Sequence, residues 1–149
     1  MTRRLQGHVA VALGAMLAAC AGPPKDLGLK DGRLAACPSS PNCVWSQTPE
    51  DDTHRIAPLS FADEPGNAWA RLGEVLSKRG DTRVIAMGPA YARVEFRTLL
   101  GFVDDGEFVL DREGRAIHVR SAARLGYYDF GKNRRRMEEV RRAFSGSGP

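Results

Sequence analysis

Tyr91-Ala92-Arg93-Val94-Glu95-Phe96-Arg97 alternates apolar and polar side chains at every step, the period of a β-strand with one face buried. The same period returns where Phe108 and Leu110 interleave with Glu107 and Asp111, and where Ile117 and Val119 interleave with His118 and Arg120. Arg83 to Met87 adds a fourth strand. Asp111-Arg112-Glu113-Gly114 makes a hairpin turn between the last two, and connections this short join antiparallel neighbours.

Working outward, the period changes to that of a helix. Upstream, Asp63 or Glu64 can cap and Pro65 can sit in the first turn. Trp69, Leu72, Gly73 and Leu76 then fall on one stripe before Gly80 ends the run. Downstream, a second helix runs from Phe130 to Phe144 with Met137, Val140 and Phe144 on one side. Residues 34–62 hold Pro38, Pro41, Pro49 and Pro58 among many small polar residues and read as irregular. The expectation is an α+β fold: a four-stranded antiparallel sheet with two helices on one face, preceded by a disulfide-clipped irregular segment. The face away from the helices carries Arg93, Glu95, Arg97, Glu107, His118 and Arg120, either as a solvated surface or as a concave binding surface.

The chain has 149 residues, 42% hydrophobic, 27% charged and 7% aromatic, which is material for one core. Repeat arrays, coiled coils and multi-span membrane proteins are excluded. The apolar residues are uneven, however. Arg3 and Arg4 precede an uncharged run from Val9 to Cys20. At little more than half of the roughly 20 residues that a spanning helix needs, this run has the layout of an export signal. Leu17-Ala18-Ala19-Cys20 resembles a bacterial lipobox, which implies that Cys20 is lipidated on sulfur and becomes the mature N-terminus. A plain secretory signal and an uncleaved helix are the alternatives; Gln6 is unlike the residue usual after a twin-arginine pair. Several acyl chains would hold the protein on a membrane, where one chain gives only marginal binding. Ala21, not aspartate, follows the cysteine, so the expected location is the periplasmic face of the outer membrane, in the cell envelope. The division is then 1–19 signal peptide, 20–33 tether, 34–144 one globular domain and 145–149 disordered tail.

Without residues 1–19 the net charge falls from +4 to +2. Residues 20–111 hold 10 basic and 14 acidic groups, whereas residues 112–149 hold 10 basic and 4 acidic. A basic C-terminal part attracts phosphates, lipid headgroups or acidic proteins. Export and the lack of interleaved aromatics argue against nucleic acid. Cys37 and Cys43 remain as an even pair in an oxidising compartment, separated by the turn formers Pro38-Ser39-Ser40-Pro41-Asn42, and a disulfide is the expected outcome. The competing site is a zinc tetrad with His54 and His118, although five intervening residues exceed the usual ligand spacing. A redox pair would have C-x-x-C spacing.

Three stretches resemble a bacterial and chloroplast family known as domain of unknown function 1499. They are Cys37-Pro38-Ser39-Ser40-Pro41-Asn42-Cys43-Val44, Gly101-Phe102-Val103-Asp104-Asp105-Gly106-Glu107-Phe108, and Val119-Arg120-Ser121-Ala122-Ala123-Arg124 with Gly126, Asp129, Gly131, Asn133 and Arg134. The resemblance covers residues 34–144 and brings no activity with it. Trp45 and Ala123 replace expected serines, Tyr128 a small polar residue, and Gly106 an aliphatic one. Asp105-Gly106 then reads as a bulge in a strand that runs from Phe102 to Leu110.

The third stretch is the candidate site. Arg97, Arg120, Ser121, Arg124, Asn133 and Arg134 are the candidate ligand-binding residues, and Lys132, Arg134, Arg135 and Arg136 crowd a helix start whose dipole disfavours cations. An anion there, from an anionic lipid, a glycan or an acidic protein, would compensate. Alternatively Asp104, Asp105 and Asp129 do so in an internal salt-bridge network. For catalysis, His118 with Asp105 is the one acid–base pair on offer, which would make a small periplasmic hydrolase. No glycine loop, metal-ligand run or dinucleotide motif appears, so no cofactor is expected. The reading is a membrane-tethered, non-catalytic module that binds an anionic ligand or envelope partner.

Overall fold

The computed structural model describes Pro24, residues 26–50 and residues 52–146. The expected signal peptide, Cys20, Ala21 to Pro23 of the expected tether and residues 147–149 of the expected tail lie outside these. In chain order the elements are β1 (Leu29–Lys30), β2 (Arg33–Leu34), β3 (Cys43–Trp45), β4 (Leu59–Ser60), α1 (Pro65–Lys78), β5 (Thr82–Met87), β6 (Tyr91–Arg97), β7 (Val103–Asp111), β8 (Ala116–Ala123) and α2 (Lys132–Phe144). Antiparallel pairing orders the main sheet β3-β8-β7-β6-β5, and β4 also pairs with β8. β1 and β2 form a separate two-stranded sheet.

The expected four-stranded sheet with two helices on one face is therefore corrected. The main sheet has six strands, a second sheet has two, and strand outweighs helix. β3 and β4 share the outer edge of β8, opposite Arg120 to Ala122 and Ala116 to Ile117 respectively. They escaped the reading because they are three and two residues long, follow Pro41 and Pro58 closely, and cannot display a period. The bulge at Asp105-Gly106 is also corrected. β7 runs in continuous register with β6 and β8 through Gly106, and the irregularity of the sheet lies in β5 between Val84 and Ala86. A Cβ at 106 would collide with the Phe96 ring and lie 2.8 Å from Val94 Cγ2, so Phe96 fills the space of an aliphatic side chain there.

Alternation on β6 to β8 sends Val94, Phe96, Phe108, Leu110, Ile117 and Val119 into one core with Trp69, Leu72 and Leu76 of α1 and Met137, Val140 and Phe144 of α2. Burying such a side chain contributes roughly 1.5–3 kcal/mol. Trp69 keeps its indole N–H satisfied by donating to Gly88 O at 2.8 Å. The opposite face of the strands is not left to water. Residues 28–34 lie across it: the Gly28 N–H donates to Glu107 Oε1 at 2.7 Å, and buried Leu34 donates its N–H to Gln47 Oε1 at 2.9 Å. In consequence Glu107 is 0% exposed, Arg120 2% and Asp105 3%.

Candidate functional site

Register decides which charges meet on the covered face. Arg93 stands opposite Glu107, which stands opposite Arg120; the Arg93 guanidinium leans to Asp105 in the next row, with Nη2 3.6 Å from Oδ1. Arg120 Nη1 donates to Glu107 Oε2 at 3.1 Å, and the Tyr91 hydroxyl donates to Glu107 Oε1 at 2.7 Å. Burial, then the bond to Glu107, pushes the Tyr91 phenol well above its usual range. In the next row Glu95 stands directly opposite Asp105, a like-charge pair that would repel. Arg124 bridges it: Nε and Nη2 grip both Asp105 oxygens at 2.8 Å, and Nη2 also reaches Glu95 Oε1 at 2.6 Å. These bonds, Asp105 foremost, raise the guanidinium's hold on its proton.

A cleft of about 230 Å³ opens beside these rows. Its walls include Asp26, Ser40, Asn42, Asp105, Arg120 and Arg124. Arg120 Nε is buried and has no hydrogen-bond partner, although its Nη1 is paired. An unmet donor at the wall of a polar cleft is costly unless something accepts from it.

The remaining candidate residues lie elsewhere. Ser121 is on the helix side of β8, where its hydroxyl donates to Asn133 Oδ1; the Asn133 Nδ2 donates to Asn42 O at 3.2 Å. Arg136 donates to Asp104 Oδ2 at 2.8 Å beneath the Phe96 ring, and burial, outweighing Arg136, raises the Asp104 carboxyl above its usual value. Asp129 accepts from the Gly131 and Asn133 N–H groups at 2.9 and 2.8 Å, so the anion at the start of α2 is the chain's own. Arg134 donates to the carbonyls of Arg55 and Thr53, and Arg97 is exposed at the end of β6. Thus Arg120 and Arg124 come together, Ser121 and Asn133 pair on the opposite face, and Arg97 and Arg134 stand apart. Arg93, Glu95 and Glu107 belong to the polar face expected from the strand alternation, and the sequence reading did not include Tyr91 in it. The Asp111–Gly114 turn carried the signal, since it sets the register that puts Glu107 opposite Arg120.

His118 does not meet Asp105, which lies two same-face rows away. Its Nδ1 lies 3.2 Å from Ser46 Oγ and its Nε2 3.7 Å from Asp111 Oδ2. Desolvation, the largest influence, lowers its pKa and favours the neutral ring. At 3.7 Å the His118–Asp111 contact is too long for a hydrogen bond, and Ser46 is 5% exposed with its Oγ also accepting the Val119 N–H, an arrangement that does not present a nucleophile. Cys37 and Cys43 form a disulfide with Cα atoms 5.7 Å apart, and the alternative zinc tetrad then has no thiolates. His54 is engaged with Asp52 and the Ser40 carbonyl.

At one end of the sheet, the β6–β7 loop and the β8–α2 loop face each other across a groove of about 530 Å³. Leu99, Leu100, Phe102, Leu125, Tyr128 and Phe130 line it and are exposed, Leu100 to 78% and Phe130 to 85%. Phe130 holds a left-handed φ of 54°, unusual for a bulky residue. Among the described residues no helix is long and apolar enough to cross a membrane.

Searches of curated proteins and of solved structures find no match. A family model does match: it carries the description "Protein of unknown function (DUF1499)" and covers residues 33–144, from β2 through α2. The matched span takes in the main sheet, both helices, the disulfide and the cleft-wall arginines, and the chain belongs to this family of proteins of unknown function.

Proposed function

We propose that this is a non-catalytic module of the cell envelope, held by a lipid on Cys20 to the periplasmic face of the outer membrane, that binds an anionic ligand or the acidic group of an envelope partner. The observation that carries the binding reading is Arg120: a buried guanidinium on the wall of a 230 Å³ cleft with its Nε–H unmet. A carboxylate or phosphate oxygen seated there accepts that proton, and Asn42 and Ser40 on the same wall supply polar neighbours. The Cys37–Cys43 bridge supports export, because such bonds persist in oxidising compartments.

The test is an NMR titration of the purified protein with inorganic phosphate, glycerol phosphate and a uronic acid, following the arginine Nε–H resonances. Binding moves the Arg120 resonance with saturation, and Arg120→Met abolishes the response. A resonance that stays still under all three overturns the reading. A second reading, a hydrolase built on His118, draws on the Ser46–His118–Asp111 row. It requires a hydrolytic activity that His118→Ala removes; a broad ester, amide and phosphoester panel with no such activity dismisses it.

A further inference from the structure

The loop end carries an exposed apolar groove that neither reading above uses. Leu99, Leu100, Phe102, Leu125, Tyr128 and Phe130 are all exposed around one groove. Patches of this kind mark surfaces that work against another apolar phase.

Two observations say which phase. The first is charge. Exposed Arg97, Lys132 and Arg135 flank the loops, and Arg135 Nη1 donates to the Phe130 carbonyl at 2.6 Å. The carboxylates nearby are already engaged, Asp104 by Arg136 and Asp129 by the start of α2. The rim thus offers cations around an apolar centre, complementary to anionic headgroups over acyl chains. Exposed tyrosine suits that boundary, where an aromatic body and a polar tip both find partners.

The second is the chain path. Asp26 shares the polar cleft with Leu125 and Gly126, and these two also line the apolar groove. The chain therefore arrives at the domain beside the loop end. Only six residue steps separate Cys20 from Asp26. Fully extended they reach about 20 Å, given at most roughly 3.3–3.6 Å per residue. A lipid at Cys20 confines the loop end to the near surface of the bilayer.

We propose that loops 98–102 and 125–130 dock on an anionic phospholipid bilayer, with their apolar side chains at the headgroup–acyl boundary and Arg97, Lys132 and Arg135 on the phosphates. The orientation argument rests on the tethered reading; the surface chemistry does not. Docking would seat the domain with this end down and bring the Arg120–Arg124 cleft, which shares Leu125 and Gly126 with the groove, beside the headgroups.

The experiment uses the full chain, expressed and processed in a bacterial host, with a tryptophan probe at Phe130→Trp or, at the far end of β7, Glu113→Trp. Each protein is mixed with phosphatidylglycerol-containing vesicles carrying brominated acyl chains, and intact mass reports separately whether Cys20 bears lipid. The expected result is a blue-shifted, quenched probe at 130 and an unquenched one at 113. Leu99→Ser with Leu100→Ser, both on exposed side chains, lowers vesicle affinity of the unlipidated protein, or quenching of the lipidated one, by roughly tenfold. Acylated protein with no quenching at 130 overturns the docking while sparing the tether. Unacylated protein that still shows quenching upholds the docking and removes the tether. Concentration-dependent dimers that form in place of quenching, and disappear with the two serines, overturn the proposal in favour of a second copy of the chain.

Discussion

Arg124→Met tests the account of the covered face most directly. Glu95 and Asp105 stand opposite each other on β6 and β7, and the side chains of Asp105 and Arg124 are only 3% and 6% exposed. Arg124 holds both carboxylates through bonds of 2.6–2.8 Å. Methionine keeps much of the volume but leaves two like charges facing across neighbouring strands without their bridge, with only the longer contacts of Arg93 to Asp105 at 3.6 Å and of Arg83 to Glu95 at 3.7 Å remaining. Removing one partner from a buried pair costs about 3–5 kcal/mol, far more than an exposed pair is worth. At about 4 °C per kcal/mol for a domain near 100 residues, the melting temperature falls by roughly 12–20 °C. Urea unfolding at pH 7 gives the free energy and calorimetry the temperature. A second substitution identifies the cause. Asp105→Asn added to the variant recovers a substantial part of the loss at pH 7. A loss under about 1 kcal/mol, as exposed ion pairs give, or a double variant no more stable than Arg124→Met alone, would refute the reasoning.

Gly106→Ala forces a methyl against the Phe96 ring and Val94, and such overpacking costs about 1–3 kcal/mol; Phe96→Leu in the same chain makes room, so denaturant midpoints of the pair are less than additive. Replacing Cys37 and Cys43 by alanine opens a loop with a sequence separation of 6, and the chain-entropy relation gives a loss of roughly 2 kcal/mol; mass before and after reduction and alkylation must show one bridge. Asp52 has its pKa lowered to about 2 by the His54 N–H, then by the Thr48 hydroxyl and the His54 ring. Its folded value lies below the unfolded one, so its contribution is complete above pH 4 and lost as pH falls towards 2; Asp52→Asn flattens that limb, and carboxyl NMR titration gives the midpoint. Asp129→Ala leaves the Gly131 and Asn133 N–H groups unmet and costs about 0.5–2 kcal/mol in thermal unfolding, as loss of a helix cap does.

The period-2 strands were legible because each runs at least six residues, long enough for Val94, Phe96, Phe108 and Leu110 to declare a face. The helices were legible from Trp69, Leu72 and Leu76 and from Met137, Val140 and Phe144, although α2 begins at Lys132 rather than Phe130. β1 to β4 were not, since two or three residues carry no period and their places depend on bonds to distant groups such as Glu107 and Gln47. That absence had a second effect. With the covering strands unseen, Glu107 and Arg120 read as outward-facing charges, because an alternating strand looks the same whether its polar side meets water or opposite charge.

The same ambiguity, inverted, hid the loop end. Leu99, Leu100, Leu125 and Phe130 are apolar, but they sit between elements beside Gly101, Gly126 and Gly131, all at positive φ, where no strand or helix period can run. An apolar residue earns a place in a core through the element that carries it inward, and these residues have no such element. Ile56 and Phe61, also outside the regular elements, do reach the core, held there by backbone bonds to Trp45 and Arg115 for which the loop end has no counterpart. Among the described residues the loop end is a surface whose apolar side chains the domain itself leaves exposed, while the charges that looked available for binding are largely spent on holding the sheet together.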